Sequence, residues 1–493
     1  MSQARGVVVW CLAVAIGMLP GVVHRTARIG LRTTPAQRRR CFGLLVSAGD
    51  VWSCVLDLAR WRRQDGLPPL AGYQELCCEL AKAGPGTFGE LDTRGARSVL
   101  RRYSDAWFAT AKRRRDSDAT ARYPRRKRRL MPVRYYHGTF TLDERRLRLP
   151  VARGCPPLWV RLDRDPPYPA DQIRSITLLN EGGRLSVEVT AEVPVTTHPH
   201  GRGPDPARVA GIDPGIIHPF AVAGPDAQGL LVSGRAIRAE THLHLQDTRR
   251  RARKAASRAP KPGQAGSRRW RQHRRRQRQA EAKHRRRVKQ AQHEAARTVI
   301  DWCLQHRIGT LKIGAPRGVL RLKAGRRHNK RIRDWRIGHL IGCLHDKAEQ
   351  AGITAVLVDE RGTSSTCPAC HRLAPKPRGR AFHCPRCGFT GHRDLVGGAN
   401  IAPRTTEGGP IPTDERQHVA FPVEITHRRA GPHLPGVSST RRDPRRRPHH
   451  GGPRGSPGRP RPAPPQTGTS LANRPPAERE DQPTPPHANR GKR

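Results

Sequence analysis

Acidic residues are scarce in this sequence. Asp and Glu number 40 against 94 Lys and Arg over 493 residues, a net charge of +54 with a pI near 11.6. The imbalance argues against an ordinary metabolic enzyme, because such self-repulsion needs a polyanionic partner, of which nucleic acid is the default. Aromatic residues are few as well, 4% of the chain, and the apolar set reaches only 35%. Part of the length must therefore stay solvated. The 12 cysteines are too sparse for a disulfide scaffold. Four of them fall in two CxxC pairs, a spacing that favours a metal site in a reducing compartment. Long hydrophobic runs are missing except over residues 7–23, a run interrupted by Pro20 and preceded by Arg5. Three readings of it stay open: a signal peptide, an anchor, or, with Met18 inside the run, a start placed too far upstream. The basic, zinc-type sequence that follows would make little sense outside the cell, which points to no membrane and to a cytoplasmic protein.

Glycine and proline, at 48 and 46, exceed their usual shares of about 7% and about 5%. The length carries about two to four domains at ~100–200 residues each. Residues 1–23 form the apolar extension. Residues 26–33 read as a strand, and Thr34, Pro35 and Gln37 open a helical region. Its apolar residues recur at helical spacing up to about residue 112, with a break at Gly84-Pro85-Gly86. Residues 24–129 thus hold a first strand and helices. Residues 130–200 are β-rich: Leu185, Val187, Val189, Ala191 and Val193 alternate with polar residues after the turn Asn180-Glu-Gly-Gly183. That is a hairpin with one wet face, in a small barrel or an open sheet. Residues 205–402 read as an α/β domain, with strands near 208–213, 220–222, 230–232, 311–313 and 353–358. A narrow stripe of Val288, Ala291, Ala295, Val299 and Trp302 lies on a long helix, and Ile337, Leu340, Ile341, Leu344 and Ala348 on another. Residues 403–493, rich in Pro, Arg, Gly and Ser without periodicity, read as a disordered tail.

Cys367-Pro-Ala-Cys370 and Cys384-Pro-Arg-Cys387 are separated by 13 residues. Two such knuckles complete a tetrahedral S4 site for Zn2+, and with no open position the ion is structural. His371, His383 and His392 crowd the site and read as surface or nucleic-acid contacts. Three acids stand where chemistry can be staged. Asp213 ends a strand in Gly211-Ile-Asp-Pro-Gly215, Glu360 follows the strand ending at Val358-Asp359, and Asp394 opens a helix after the cysteine pairs. Nuclease folds of the ribonuclease H type gather carboxylates from such places to hold Mg2+ or Mn2+ for phosphodiester cleavage. Taken singly, each acid is an ordinary turn or cap residue; the joint placement carries the reading. The most basic stretch, 248–299, contains Arg268, Arg269, Arg271, Arg274, Arg275 and Arg276 around Trp270. The run Arg125, Arg126, Lys127 lies earlier. These are the candidate phosphate contacts, with Trp270 read as packing.

In this order, Gly211-Ile-Asp-Pro-Gly215, Thr363-Ser-Ser-Thr-Cys-Pro-Ala-Cys370, Cys384-Pro-Arg-Cys-Gly388, His392-Arg-Asp394 and Ala399-Asn-Ile401 resemble the transposon-encoded TnpB (OrfB) family. That family includes RNA-guided endonucleases related to Fanzor proteins and type V CRISPR effectors. The resemblance implies a multidomain α/β and β protein. Its RNase H-like (RuvC) nuclease core would carry a four-cysteine zinc ribbon at 363–392, preceded by a small β-barrel-type wedge domain with a helical insert. It further implies a guide RNA and target DNA as partners, structural Zn2+, and catalytic Mg2+ or Mn2+ on Asp213, Glu360 and Asp394. Two departures stand out. Gly314 occupies the place where the family's second acid is expected, so that Glu360 either replaces it from the neighbouring strand or the site is broken; and Val396 stands where Asn is common. Alternatives to an RNA-guided DNA endonuclease are a nuclease-dead guided DNA binder and a transposase or accessory transposition protein.

Overall fold

The computed structural model describes residues 21–84, 86–199, 201–316, 325–375, 379–405 and 419–434. All lie in the compact unit Met1–Ser438. The readings offered for residues 1–20, and for the tail at 406–418 and 435–493, fall outside the described residues.

The first strand, β1 (Val22–Arg32), begins inside the segment set apart as an apolar extension. Three helices follow: α1 (Pro35–Gln64), α2 (Tyr73–Lys82) and α3 (Thr93–Arg115). Thr34 caps α1 as its sequence implied. Its hydroxyl accepts from the Gln37 amide at 3.2 Å, and the Gln37 side chain accepts from the Thr34 amide at 2.9 Å. Then come β2 (Val133–Tyr136), β3 (Thr141–Asp143), β4 (Arg146–Leu149), β5 (Leu158–Leu162), β6 (Ile173–Glu181) and β7 (Arg184–Pro194). With β1 they make a sheet of order β2-β6-β7-β1-β5-β4-β3. The pairing is open, ending at β2 and β3, so of the two sheet forms the sequence allowed, the open one is observed. Leu185, Val187, Val189 and Ala191 are buried while Glu188, Thr190 and Glu192 keep one side toward water.

One core joins this sheet to the helices: Leu44, Val51 and Val55 of α1 and Val99 and Tyr103 of α3 pack with Val133, Val160 and Val187. Among the described residues α1 is the one helix long and apolar enough to cross a membrane. Its apolar face is spent on this core.

The second sheet is built from β8 (Asp205–Asp213), β9 (Phe220–Ala223), β10 (Gln228–Ser233), β11 (Ile308–Ala315), β12 (Thr354–Asp359) and β15 (Glu424–Arg429); a separate small pair, β13 (Ala381–His383) and β14 (Thr390–His392), lies between β12 and β15 in the chain. Its strand order is β12-β11-β8-β9-β10-β15. Helices α4 (Arg235–Ala256), α5 (Arg268–Gln305), α6 (Arg326–Trp335), α7 (Ile337–Gln350) and α8 (Arg393–Ile401) complete the unit. At the centre of the sheet both faces are covered, so β9 and most of β10 and β11 are apolar and buried, whereas the edge strand β15, Glu-Ile-Thr-His-Arg-Arg, stays largely exposed. Ile212, Val222, Leu230, Leu311 and Ile313 meet Val299 and Trp302 of α5 and Leu340 and Leu344 of α7. The intervening Ala221 and Leu231 meet Leu395 of α8.

The stripe of Val288, Ala291, Ala295, Val299 and Trp302 lies on one long helix, α5, as expected, and the basic stretch breaks ahead of it at 257–267, where Pro260, Pro262 and Gly263, the last with φ +82°, separate α4 from the Ser267 cap of α5. One expectation needs correction: the chain is not structureless from 403 onward. β15 pairs in parallel with β10, Glu424 opposite Gln228 through Arg429 opposite Ser233. Phe421 packs edge-on against Phe389 at 4.8 Å, and Ala430 and Leu434 are buried. An edge strand offers unpaired backbone groups to any extended segment. Six residues in a Pro- and Arg-rich context carry no periodicity to reveal that pairing.

Candidate functional site

Strand alternation decides where the acids point. On β8, Ala210 and Ile212 face α5 and α7, so Gly211 and Asp213 face α8. The approach is close: a Cβ on Gly211 would lie 2.0 Å from the Gly398 carbonyl oxygen, and a Cβ on Gly397 would lie 2.7 Å from Asp213 Oδ2. Only glycine at these two positions lets α8 seat directly on β8. Asp394, in the first turn of α8 and buried, is thereby brought beside Asp213.

Glu360 joins from the other side. β11 and β12 are parallel, with Gly314 opposite Val358 and Ala315 opposite Asp359. The chain turns back after Asp359, and Glu360 lays its side chain over Gly314: Oε2 lies 3.0 Å, and the Glu360 Cβ 3.2 Å, from where a Cβ on Gly314 would be. The carboxylate thus occupies the space above the position where the resemblance led one to expect an acid.

Electrostatics record the crowding. Burial, then the Asp394 and Glu360 carboxylates, push Asp213 up to about 8. Burial, then Asp359, raises Glu360 to about 7. Burial also acts on Asp394, but a hydrogen bond with His218 and the Arg380 guanidinium outweigh it and hold this carboxyl at about 2. His218 Nδ1 stands 2.8 Å from Asp394 Oδ2, and Arg380 Nη1 donates to Oδ1 and Oδ2 at 2.6 and 2.8 Å. Sequence reasoning missed both partners. His218 lies five residues after Asp213, within the loop after β8, and was a findable signal. Arg380 comes from the hairpin between the cysteine pairs, where no spacing links it to Asp394. His392 was read as a surface or nucleic-acid contact; it is half-buried, edge-on to His218 at 5.1 Å, and falls within one potential ligand group with His218 and Asp394.

The four cysteines come together as their spacing implied. Cys367 Sγ is 3.6 Å from Cys387 Sγ, Cys370 Sγ is 3.8 Å from Cys384 Sγ, and all four sulfurs lie within 4.8 Å of one another. A tetrahedron of ~2.3 Å metal–sulfur bonds puts its sulfurs about 3.8 Å apart, so the cluster could hold a metal such as zinc. The two knuckles match: His371 and Gly388 each follow the second cysteine in a left-handed conformation, donating back to Cys367 O at 2.9 Å and Cys384 O at 3.0 Å. The backbone amides of Cys387 and Arg386 help lower Cys384 to about 6, against the effect of burial. Val396, the second departure, is fully buried against this cluster's apolar base with Phe382. Asn400 donates to the carbonyls of Thr363 and Thr366, both at 2.7 Å, which ties α8 to the turn leading into the first knuckle.

The basic residues divide. Arg268, Arg269, Arg271, Arg274, Arg275 and Arg276 are exposed on the first turns of α5, and no ion pair among the described residues engages them. Further along, Arg285 and Arg286 pair with Glu181 of β6, and Arg287 with the buried Glu240 of α4; these are structural. Trp270 is half-buried over Gly266, with Arg274 above its ring at 5.9 Å. Arg125, Arg126 and Lys127 are exposed, but the segment is pinned to α1: Trp52 Nε1 donates to Arg126 O at 3.0 Å, and Lys127 pairs with Asp57.

Two family models match the chain, in order: one described as "Probable transposase" over residues 187–320, and one described as "Cas12f1-like, TNB domain" over residues 338–401. The resemblance is to the TnpB-like family. Among solved structures, that titled "Cryo-EM structure of the Cas12f1-sgRNA-target DNA complex" matches with TM-score 0.54 at 12% identity, covering 77% of this chain and 98% of the other. At that identity the match speaks for a shared fold. A second, "Structure of the mini-RNA-guided endonuclease CRISPR-Cas_phi3", matches with TM-score 0.39 at 10% identity, covering 77% and 92%, too distant in shape to bear on the fold. No curated protein matches the chain in sequence.

Proposed function

We propose that this TnpB-like protein is a mobile-element, RNA-guided, metal-dependent DNA endonuclease that cuts DNA matched to a guide RNA beside a short flanking motif. The observation that carries the reading is the convergence of Asp213, Glu360 and Asp394 on the α8 face of one sheet. In this reading residues 205–402 are the RuvC-like nuclease, residues 24–129 supply the first strand and the recognition helices, and residues 130–200 supply the wedge. Cys367, Cys370, Cys384 and Cys387 hold structural Zn2+.

The donor set fits Mg2+ or Mn2+: three carboxylates offer hard oxygens and leave room for water. Such an ion, when bound, lowers the pKa of water and steadies the leaving oxygen of a phosphodiester. The chain's own groups do the rest. With no ion, Asp213, pushed up to about 8 by burial and then by the Asp394 and Glu360 carboxylates, favours its protonated form at neutral pH. His218 and Arg380 orient Asp394 and keep it ionised. The arginines at the start of α5, with Arg125, Arg126 and Lys127, supply backbone contacts to an RNA–DNA duplex, whose pairing reads the sequence.

The competing reading is a guided DNA binder without nuclease activity, and the Arg380 fork on Asp394 favours it, since a guanidinium already neutralises that carboxylate. Mn2+ titration of the protein and of Asp213→Ala separates the two. Binding that the substitution weakens at least tenfold supports the nuclease; identical titrations support the binder.

A further inference from the structure

Away from the three acids, α5 and α7 bring together a second set of ligating atoms. His339 and Cys343 are four residues apart on α7, hence on one face of the helix, and His293 reaches them from α5. Cys343 Sγ lies 3.4 Å from His339 Nδ1 and 3.8 Å from His293 Nε2, and the three ligand atoms fall within 4.8 Å of one another. The two rings stand nearly perpendicular, 5.5 Å between centroids. For a tetrahedral ion with bonds of ~2.3 Å to sulfur and ~2.05 Å to nitrogen, sulfur and nitrogen ligands sit about 3.6 Å apart. The observed pair of distances brackets that value.

We propose that His293, His339 and Cys343 form a second transition-metal site, of zinc class, open at its fourth position. A thiol is a weak donor and a weak acceptor, so sulfur is a poor hydrogen-bond partner for two imidazoles at once, whereas one ion satisfies all three. Sulfur with two imidazoles is a borderline-soft set that selects Zn2+ over Mg2+. Burial is graded in the right sense: Cys343 is buried, His339 intermediate and His293 exposed, which leaves a path from solvent. The cleft outside is lined by Lys289 and Lys347 with Asp346. A thiolate and the nearby carboxylate offset those lysines, and the fourth position falls to water or a small anion. Such an ion staples α7 to α5, the helix whose other end carries Arg268–Arg276.

Zinc content of the purified full-length chain, after dialysis against metal-free buffer, tests this. The expected result is two equivalents per chain, falling to one in His293→Ala and in Cys343→Ser. Reconstitution with Co2+ should give a sulfur-to-metal absorption band whose intensity drops in Cys343→Ser without vanishing, because the four-cysteine cluster keeps its share. His293 is exposed, so its variant tests the site without disturbing the core, and far-ultraviolet circular dichroism checks the fold of both variants. Affinity for the second equivalent should fall at least about 100-fold in either variant. One equivalent in the unaltered chain, or two retained by both folded variants, overturns the proposal.

Discussion

Glu360 places Oε2 3.0 Å from the point where a Cβ on Gly314 would stand. A side chain at 314 would crowd Glu360, and would meet Ile401 Cδ1 at 2.8 Å as well, so the bare glycine leaves the room that the Glu360 side chain takes.

That relationship predicts a swap. Glu360→Ala should lower metal-dependent DNA cleavage more than about 100-fold, beyond the loss typical of groups that only support a ligand. Gly314→Glu alone should also impair it, through the clash with Glu360. Combined, Gly314→Glu with Glu360→Ala should recover part of the activity in a plasmid-cleavage assay. A double variant no better than Glu360→Ala would detach the two positions.

Crowded acids leave a mark on stability. Asp213 and Glu360, raised to about 8 and about 7 in the folded chain, hold protons that the unfolded chain releases near pH 4. Their contribution is full below ~pH 4 and is lost as pH rises toward 8. Asp394, lowered to about 2, acts oppositely, contributing above ~pH 4 and losing that contribution as pH falls through 2. Without added Mg2+, Asp213→Asn should melt several degrees higher than the unaltered protein at pH 8 and nearly equally at pH 4. Thermal scans at both pH values check this, and equal melting temperatures at pH 8 would argue against the cluster.

Loss of the zinc proposed for the four-cysteine cluster should loosen the site from outside. Cys384→Ser takes one sulfur from the four-cysteine cluster, and the hairpin that carries Arg380 depends on that cluster. Hydrogen exchange should accelerate over residues 367–392, and one zinc equivalent should be lost. Unchanged protection there would mean the apolar base of Phe382, Phe389 and Val396 suffices alone.

Much of this was legible in the sequence. The β6–β7 hairpin announces itself through alternation, α1 through its Thr34-Pro-x-Gln cap, and the cysteine cluster through spacing alone, because each of these is encoded within a few residues. The partners of Asp394 differ in this respect: His218, 176 residues from Asp394 but five after Asp213, could have been found from its place in the loop after β8, whereas nothing in the spacing links Arg380, 14 residues from Asp394, to that carboxylate, and only the fold brings it in. β15 escaped for the same reason, since its pairing depends on the open edge of β10 and not on its own pattern.

The divided basic stretch makes a further prediction. Changing Arg268, Arg269, Arg271, Arg274, Arg275 and Arg276 to Gln should weaken nucleic-acid binding and flatten its salt dependence, by about 0.9 in the log–log slope for each phosphate no longer neutralised. Arg285→Gln and Arg286→Gln should instead lower the melting temperature, because they break pairs with Glu181. An unchanged salt slope in the six-fold variant would remove α5 from the interface.

The most direct measurement expresses the gene with its native flanking DNA and challenges it with a plasmid library carrying a guide-matched target beside randomised bases. The unaltered protein and Glu360→Ala are compared in parallel. Depletion of one flanking motif by the unaltered protein alone is the predicted result. No depletion, with a specific RNA still co-purifying, would contradict the nuclease and leave a guided DNA binder.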